Sequence, residues 1–260
     1  MRRIDRNHPF SYSLVSNYER WMDADKLYDK YWGRSETPPD PDKFELEQKL
    51  SFYAQLFKLA YLPQCDPDDT ALILGHEFEY RINHLMQLTP EFRFKSNKGV
   101  EYNVIINRPD FETLCDNRFK AIPRQQVEIK GILPNGLNFI GYADEVYENC
   151  IIDIKTTSNF DKSNYDKSLQ IPLYLHFIQD YLVQRGFYQV TEFYRPTEKG
   201  VKKNEFVMKD TFMIESEKIT DAQLTRFADL CKEILDNVPA FEKDLDNCLK
   251  YFTISSIDPF

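Results

Sequence analysis

The chain has 260 residues, with 33 basic against 42 acidic side chains and a net charge of −9, and 42% of its residues are hydrophobic. This length and hydrophobic content are sufficient for a buried core and exclude a disordered chain. The negative charge argues against a protein that coats nucleic acid through overall positive charge, although it leaves a local basic groove open.

Glycine and cysteine usage excludes several cofactor classes. The eight glycines form neither a G-x-G-x-x-G motif nor a Walker A loop, which argues against dinucleotide and nucleoside triphosphate binding. The five cysteines include no C-x-x-C pair, so we expect reduced thiols and no iron–sulfur cluster. No apolar run is long enough for a signal peptide or a membrane span, and we therefore expect a cytoplasmic protein without a membrane partner.

Helical periodicity dominates the N-terminal third. One helix is expected over residues 11–31, a proline-rich break follows at 37–42, and a second helix is expected over 43–62. A turn at 63–69 supplies aspartates that would cap a third helix over 70–88. Apolar residues at helical spacing predict the packing stripe of that helix, namely Leu74, Phe78, Ile82 and Leu85.

The pattern changes to that of strands between residues 93 and 155. Alternating and β-branched runs predict a meander there, and mixed elements follow it. The expected elements are strands over 126–133, 138–147 and 150–155, a helix over 168–184 ended by Gly186, strands over 188–194 and 205–214, and a last helix opened by a Thr220/Gln223 capping box.

Residues 141–155 (GYADEVYENCIIDIK) predict a hairpin whose turn is centred between Glu148 and Asn149. In that register Asp144 would face Asp153 across the two strands, with Cβ atoms about 4.5–5.5 Å apart. Two carboxylates this close repel each other unless a cation compensates them, and Mg²⁺ prefers carboxylate oxygens. Lys155 falls on the same strand face as Asp153, where its ammonium would position or help to deprotonate a water molecule.

The same Asp-x-Lys pattern is also typical of a solvated strand face with a surface ion pair. Two observations favour a functional site. Ile151 and Ile152 give the second strand buried character, and Gly141 allows a ligand or another backbone to approach just before the first aspartate.

Four short motifs resemble, in their order along the chain, those of the PD-(D/E)xK nuclease superfamily. Within it they resemble the RecB-like exonuclease branch, which includes the CRISPR adaptation nucleases. The segment FSYSLVSNYERW is similar to the opening of that branch. The chain departs from the iron–sulfur members in lacking their cysteines. The four motifs are Gly75-His76, Gly141-Tyr-Ala-Asp144, Asp153-Ile-Lys155-Thr156 and Gln170-x-x-x-Tyr174.

The resemblance implies an α/β fold with a restriction-endonuclease-like core, in which helices flank a mixed central sheet. It also implies helical additions at both ends of this core. We expect a single nuclease domain composed of a helical region over 1–69, the core over 70–215 and C-terminal helices over 216–260.

The resemblance further implies a divalent-metal-dependent deoxyribonuclease, an exonuclease of DNA processing, recombination or repair. Its catalytic residues would be Asp144, Asp153 and Lys155, with one or two Mg²⁺ or Mn²⁺ ions. The implied metal ligands are His76, Asp144, Asp153 and the carbonyl of Ile154, with Glu79 as a further candidate for a second metal. Gln170 and Tyr174, at i and i+4 of one helix face, would position the substrate, and Tyr174 is equally a candidate core aromatic.

Two basic segments are candidate DNA contacts, and a solvated surface is the alternative for each. They comprise Arg93, Lys95 and Lys98, and Arg118, Lys120 and Arg124. Because the chain carries no helicase motif, coupling to unwinding would require a helicase or recombination protein as partner. Two other functions stay open, namely a noncatalytic nucleic-acid-binding or scaffold subunit and a restriction-type endonuclease.

Overall fold

The computed structural model describes residues 4–59, 70–84, 89–119, 123–180 and 182–255. The side chains of 113, 115–119 and 249–255 lie outside this description. In the described part of the chain, no helix combines the length and the apolar character that crossing a bilayer requires.

The N-terminal region is helical, but the first expected helix is two helices. Helix α1 (Tyr12–Met22) begins at Ser11, whose hydroxyl accepts a hydrogen bond from the Leu14 N–H, and α1 ends at Asp23. Helix α2 (Ala24–Trp32) follows at once. Helix α3 (Pro41–Phe57) is capped by the Asp40 carboxylate and stops at Lys58, which adopts a left-handed backbone with a φ of 50°.

Helix α4 (Thr70–Asn83) begins at the expected residue. The predicted stripe is confirmed for Leu74, Phe78 and Ile82, which are buried in one core with strands of the sheet. Its fourth member, Leu85, lies outside the described residues, as does the expected capping turn over 63–69.

The expectation of strands throughout 93–155 is wrong at one place. After strands β1 (Glu91–Lys95) and β2 (Glu101–Ile105) the chain forms helix α5 (Arg108–Phe119). The reason is local, because the Asn107 side-chain oxygen accepts the Asp110 N–H and so caps the helix.

The remaining elements include the expected ones in the expected order, together with a short helix and two short strands that were not expected. They are β3 (Arg124–Ile132), β4 (Asn138–Val146), β5 (Cys150–Thr157), α6 (Lys162–Asp166), α7 (Gln170–Phe177), β6 (Arg185–Tyr194), β7 (Thr197–Glu198), β8 (Val201–Lys202), β9 (Glu205–Ser216) and α8 (Asp221–Ser255). Helix α7 is shorter than expected, and Gly186 lies inside β6 rather than behind a helix. The capping box of α8 is confirmed, because Thr220 and Gln223 exchange side-chain to backbone hydrogen bonds.

A seven-stranded mixed sheet with the order β1-β2-β9-β6-β5-β4-β3 is the centre of the fold. Strands β2 and β9 are parallel, as are β5 and β6, whereas β4 runs antiparallel to β5 and β6 antiparallel to β9. Helix α4 packs on β5 and β1, and α7 packs on β6 and β5. The expected α/β class, with a mixed sheet flanked by helices, is confirmed.

The chain divides into two compact units. Unit 1 comprises Met1–Asp66, Lys130–Gly141 and Thr220–Phe260, and unit 2 comprises Pro67–Ile129 and Tyr142–Ile219. Unit 1 has an aromatic core from α1, α3 and α8, in which Phe241 contacts the rings of Tyr18, Trp21, Phe52 and Tyr53. The catalytic, metal-binding and positioning candidates all belong to unit 2.

Candidate functional site

The β4–β5 hairpin has the register that the sequence predicts. Glu145 pairs with Ile152 and Val146 with Ile151. The Tyr147 N–H donates to the Cys150 carbonyl at 2.8 Å and closes the turn. The expected turn centre is therefore confirmed.

The paired ladder ends at Glu145 and Ile152, so the expected direct strand pair of Asp144 with Asp153 is not formed. There the Asp144 Oδ2 accepts the backbone N–H of Ile154 at 2.8 Å, so a carboxylate replaces the carbonyl that a continuing strand would offer. This side-chain to backbone hydrogen bond, rather than a further strand pair, fixes Asp144 beside Ile154, the residue that follows Asp153. This bond makes the two aspartates neighbours where the strands separate.

Asp153 is fully buried, with 0% of its surface exposed. Its Oδ1 accepts a hydrogen bond from Gln170 Nε2 at 2.7 Å, and its Oδ2 lies 2.6 Å from the Lys155 ammonium. Burial, together with the charge of Asp144, raises the pKa of the Asp153 carboxyl, although Lys155 opposes this. A buried carboxylate with a like charge beside it favours a bound cation.

Lys155 is paired with Asp153 as strand periodicity predicts. Burial lowers the pKa of the ammonium, but the charges of Asp153 and Asp144 outweigh burial and raise the pKa above its ordinary value. Both aspartates thus favour the protonated ammonium, which is a positive charge and hydrogen-bond donor beside Asp153.

Helix α7 presents Gln170 and Tyr174 together. The Gln170 amide donates to the Tyr174 hydroxyl at 3.2 Å as well as to Asp153. Tyr174 is only 5% exposed, so it is both a core aromatic and part of this hydrogen-bond chain. The start of α7 is fixed by β6, because the Tyr188 hydroxyl accepts the Ile171 N–H at 3.2 Å.

Gln126 of β3 belongs to the site, although the sequence offered no signal for it. Its Nε2 donates to the Glu79 Oε1 at 2.9 Å and lies 3.3 Å from the Asp144 Oδ1. Its backbone is left-handed, with a φ of 48°, which is uncommon for a residue other than glycine. Burial, and then the charge of Asp144, raise the pKa of the Glu79 carboxyl to about 7.

Helix α4 brings Glu79 to this cluster. Gly75 lies in the middle of α4 rather than at its start, and a Cβ there would be 3.0 Å from the Thr156 Oγ1, so a small residue permits the close approach to β5. His76 is exposed and lies one turn, about 4.5 Å of rise, before Glu79. Across the described ranges no three His, Cys, Asp or Glu side chains form a metal-binding group, so His76 as a ligand stays a prediction.

The donor set still fits a hard cation. Glu79, Asp144 and Asp153 offer carboxylate oxygens, and Lys155 supplies a balancing positive charge. The Gln126 amide joins the oxygens of Glu79 and Asp144 that a cation would attract. Mg²⁺ commonly takes one or two protein carboxylates and completes its shell with water and substrate phosphate, so two aspartates are sufficient.

Among the described residues, the candidate DNA contacts lie at two opposite edges of the sheet. Arg93, Lys95 and Lys98 lie on β1 and the turn after it, at one edge of the sheet, and Arg93 pairs with Glu101 at 3.1 Å. Arg124 lies on β3 at the opposite edge, roughly 25–30 Å away at ordinary strand spacing, and pairs with Asp180 at 2.8 Å. Sheet position therefore separates Arg93 from Arg124, and each stays a predicted DNA contact. The Arg118 side chain and Lys120 lie outside the described residues.

No family model matches the sequence, and no curated protein matches it. Among solved structures, the chain is similar to the crystal structure of SSO0001, with 15% sequence identity and a TM-score of 0.41. That alignment covers 99% of this chain and 89% of the other.

Proposed function

We propose that the protein is a divalent-metal-dependent deoxyribonuclease that hydrolyses phosphodiester bonds from DNA ends. The observation that supports this proposal is the convergence of Asp144, Asp153, Lys155 and Gln170 at the point where β4 leaves β5. These residues belong to the ordered sequence motifs that resemble those of the RecB-like exonucleases. A role in DNA processing with a helicase or recombination partner rests on that resemblance alone.

Each residue of the cluster has a distinct role in this proposal. Asp144, Asp153 and the Ile154 carbonyl would hold Mg²⁺ or Mn²⁺, which neutralises the scissile phosphate and activates water when it is bound. Gln170 holds the Asp153 carboxylate in one orientation through its 2.7 Å hydrogen bond. The protonated Lys155 places a positive charge where negative charge develops on the phosphate.

The test uses the purified full chain with end-labelled linear single- and double-stranded DNA, and with closed-circular DNA, in Mg²⁺, Mn²⁺ or EDTA. We expect degradation of linear DNA only with metal. Asp153→Ala and Lys155→Ala should each lower the cleavage rate by roughly 100-fold or more, the scale of losing one preorganised charged group. The matched control is Lys203→Ala, which removes an exposed lysine paired with Glu198 and should leave the rate unchanged.

The outcomes separate the alternatives. Metal-independent cleavage, or cleavage that survives both site substitutions, contradicts the site assignment. An absence of cleavage with every metal and substrate would indicate a noncatalytic nucleic-acid-binding subunit. Cutting of closed-circular DNA as fast as linear DNA would indicate an endonuclease.

A further inference from the structure

Three aromatic side chains form a half-buried surface beside the cluster. Phe160 follows β5, Tyr165 lies on α6 and Phe212 on β9, and we call this set the aromatic shelf. The rings of Phe160 and Phe212 are nearly parallel, with centroids 3.8 Å apart and an interplanar angle of 7°. Phe160 and Tyr165 are also close to parallel, at 6.1 Å and 19°.

The aromatic shelf lies on the same face of the sheet as Lys155. Lys155 pairs with Val190 of β6, which pairs with Phe212 of β9, so the three residues form one row across the sheet. Lys155 and Phe212 lie two strand spacings apart, a distance of about 10 Å. Tyr165 extends the shelf toward Lys155. Its ring packs against Tyr188, the strand partner of Asp153, with ring centroids 5.5 Å apart.

The shelf rings differ from the rings in the core of unit 2 in their exposure rather than in their angles, because the core contains both a buried stacked pair, Phe94 and Tyr102 at 18°, and a buried edge-to-face pair. There, Phe78 and Phe193 are buried and meet edge to face, at an angle of 81°. The shelf rings are half-buried and its two phenylalanines are stacked face to face, so a further flat ring would extend this stack. In a nucleic acid strand, the base is a flat, uncharged ring that stacks on aromatic side chains, and the backbone phosphates reach a neighbouring site.

We propose that the aromatic shelf binds an unpaired base of the DNA strand whose phosphate lies at Lys155. This inference rests on the proposed function and adds a substrate preference to it. At a rise of about 3.4 Å per nucleotide, 10 Å corresponds to about three bases of a stacked strand. The base must leave its duplex partner to stack on the shelf, so the protein selects single strands or frayed ends.

Equilibrium binding in EDTA tests the shelf without cleavage. The probes are a short single-stranded oligodeoxynucleotide and a blunt duplex of the same sequence, titrated with the full chain. Phe160→Leu and Phe212→Leu keep apolar bulk but remove the ring, and each should weaken single-strand binding by roughly tenfold or more while changing duplex binding less than twofold. Phe160→Tyr keeps the ring and should bind as the original chain does.

Two controls keep the result interpretable. Thermal unfolding of each variant detects a general loss of structure, and Tyr31→Leu, which removes an exposed ring in unit 1, should bind like the original chain. Equal weakening for single strand and duplex, or no weakening in folded leucine variants, overturns the shelf.

Failure of the shelf and failure of the proposed function give different results. A chain that degrades linear DNA with metal, but whose leucine variants bind single strands normally, is a nuclease without the shelf. A chain that binds single strands through these rings, but degrades no DNA with any metal, has the shelf and lacks the proposed activity.

Discussion

Gln126 adopts a backbone conformation that costs about 1–2 kcal/mol in residues other than glycine, and it does so where its amide joins two carboxylates. This backbone strain is offset only if the Gln126 amide relieves repulsion between the carboxylates of Glu79 and Asp144. Strain held at such a position is common in functional sites. Gln126 therefore holds these carboxylates together in the absence of a cation.

This strain predicts an order of stabilities. Gln126→Ala and Gln126→Gly both remove the amide, but only glycine tolerates the left-handed backbone without strain. We expect the glycine variant to be more stable than the alanine variant by about 1 kcal/mol, measured as the difference in free energy of unfolding in urea. A more stable alanine variant would show that the backbone at this position relaxes.

The two residues of the α7 motif should differ in importance. Gln170→Ala removes a direct donor to the buried Asp153 carboxylate, and we expect metal-dependent cleavage to fall about 10- to 100-fold. Tyr174→Phe keeps the packed ring and leaves the Gln170 to Asp153 bond, so cleavage should change less than threefold. Single-turnover rates at saturating metal would measure both, and a reversed order contradicts these roles.

The sequence predicted the residues whose contacts follow from one hairpin register. Asp144, Asp153 and Lys155 lie within one strand pair, so alternation and pair arithmetic were sufficient to place them. Gln126 could not be found in the same way, because its contacts with Glu79 cross 47 residues and depend on an unusual backbone angle. Long-range side-chain contacts of this kind leave no local pattern.

Gly186 shows how one element positions another. A Cβ at this residue of β6 would lie 2.1 Å from the Ile171 Cγ2, so α7 packs against β6 more closely than any side chain there permits. Ile171 directly follows Gln170, and the depth of α7 therefore sets the position of the Asp153 donor. The sequence predicted that Gly186 ends a helix. It could not show the packing role, because close contact between two elements leaves no pattern in a single segment.

Gly186→Ala should destabilise the protein by about 1–3 kcal/mol and lower DNA cleavage, because α7 must shift. A second substitution tests the cause. Ile171→Ala removes the offending methyl and should reduce the cost of Gly186→Ala, whereas Ile171→Val keeps the Cγ2 atom and should give no relief. Urea unfolding of the three single and two double variants measures the coupling, and additive costs would exclude this contact as the reason.

Elements were predicted best where their own pattern was strong. The apolar stripe of α4 and the capping box of α8 are confirmed because they depend on neighbouring residues alone. Helix α5 was missed because a single Asn107 cap starts it in a region of strand-like composition. Helix α7 ends earlier than expected, because the chain turns to begin β6 at Arg185.

Contacts between distant parts of the chain hold unit 1 together. The Tyr53 hydroxyl of α3 donates to the Asp244 carboxylate of α8 at 2.7 Å, and Lys49 pairs with the same carboxylate at 3.1 Å. Partial burial of Asp244 raises its pKa, but the hydrogen bonds from Tyr53 and Lys49 outweigh burial and lower the pKa below its ordinary value. These contacts stabilise unit 1 only while Asp244 is ionised.

The sign of the pH dependence follows from this lowered pKa. A depressed folded-state pKa gives stability that is complete above about pH 4 and is lost as the pH falls through the folded value. Tyr53→Phe should therefore cost about 1 kcal/mol at pH 7, with the gap from the original chain shrinking as the pH falls below the ordinary aspartate pKa of about 4. Urea unfolding across this pH range measures the gap, and a constant gap would mean that lost packing, not the ionised carboxylate, causes it.

The β4–β5 hairpin also bears on the order in which the molecule folds. Asp144 and Ile154 are only ten positions apart, and closing so short a loop costs little chain entropy compared with joining α4 or α7 to the sheet. Both aspartates and their lysine can thus meet before the rest of unit 2 has condensed. Refolding kinetics should then be sensitive to substitutions at Val146 and Ile151, which pair beside the turn, and insensitive to substitution of Gln170, which arrives with a later helix.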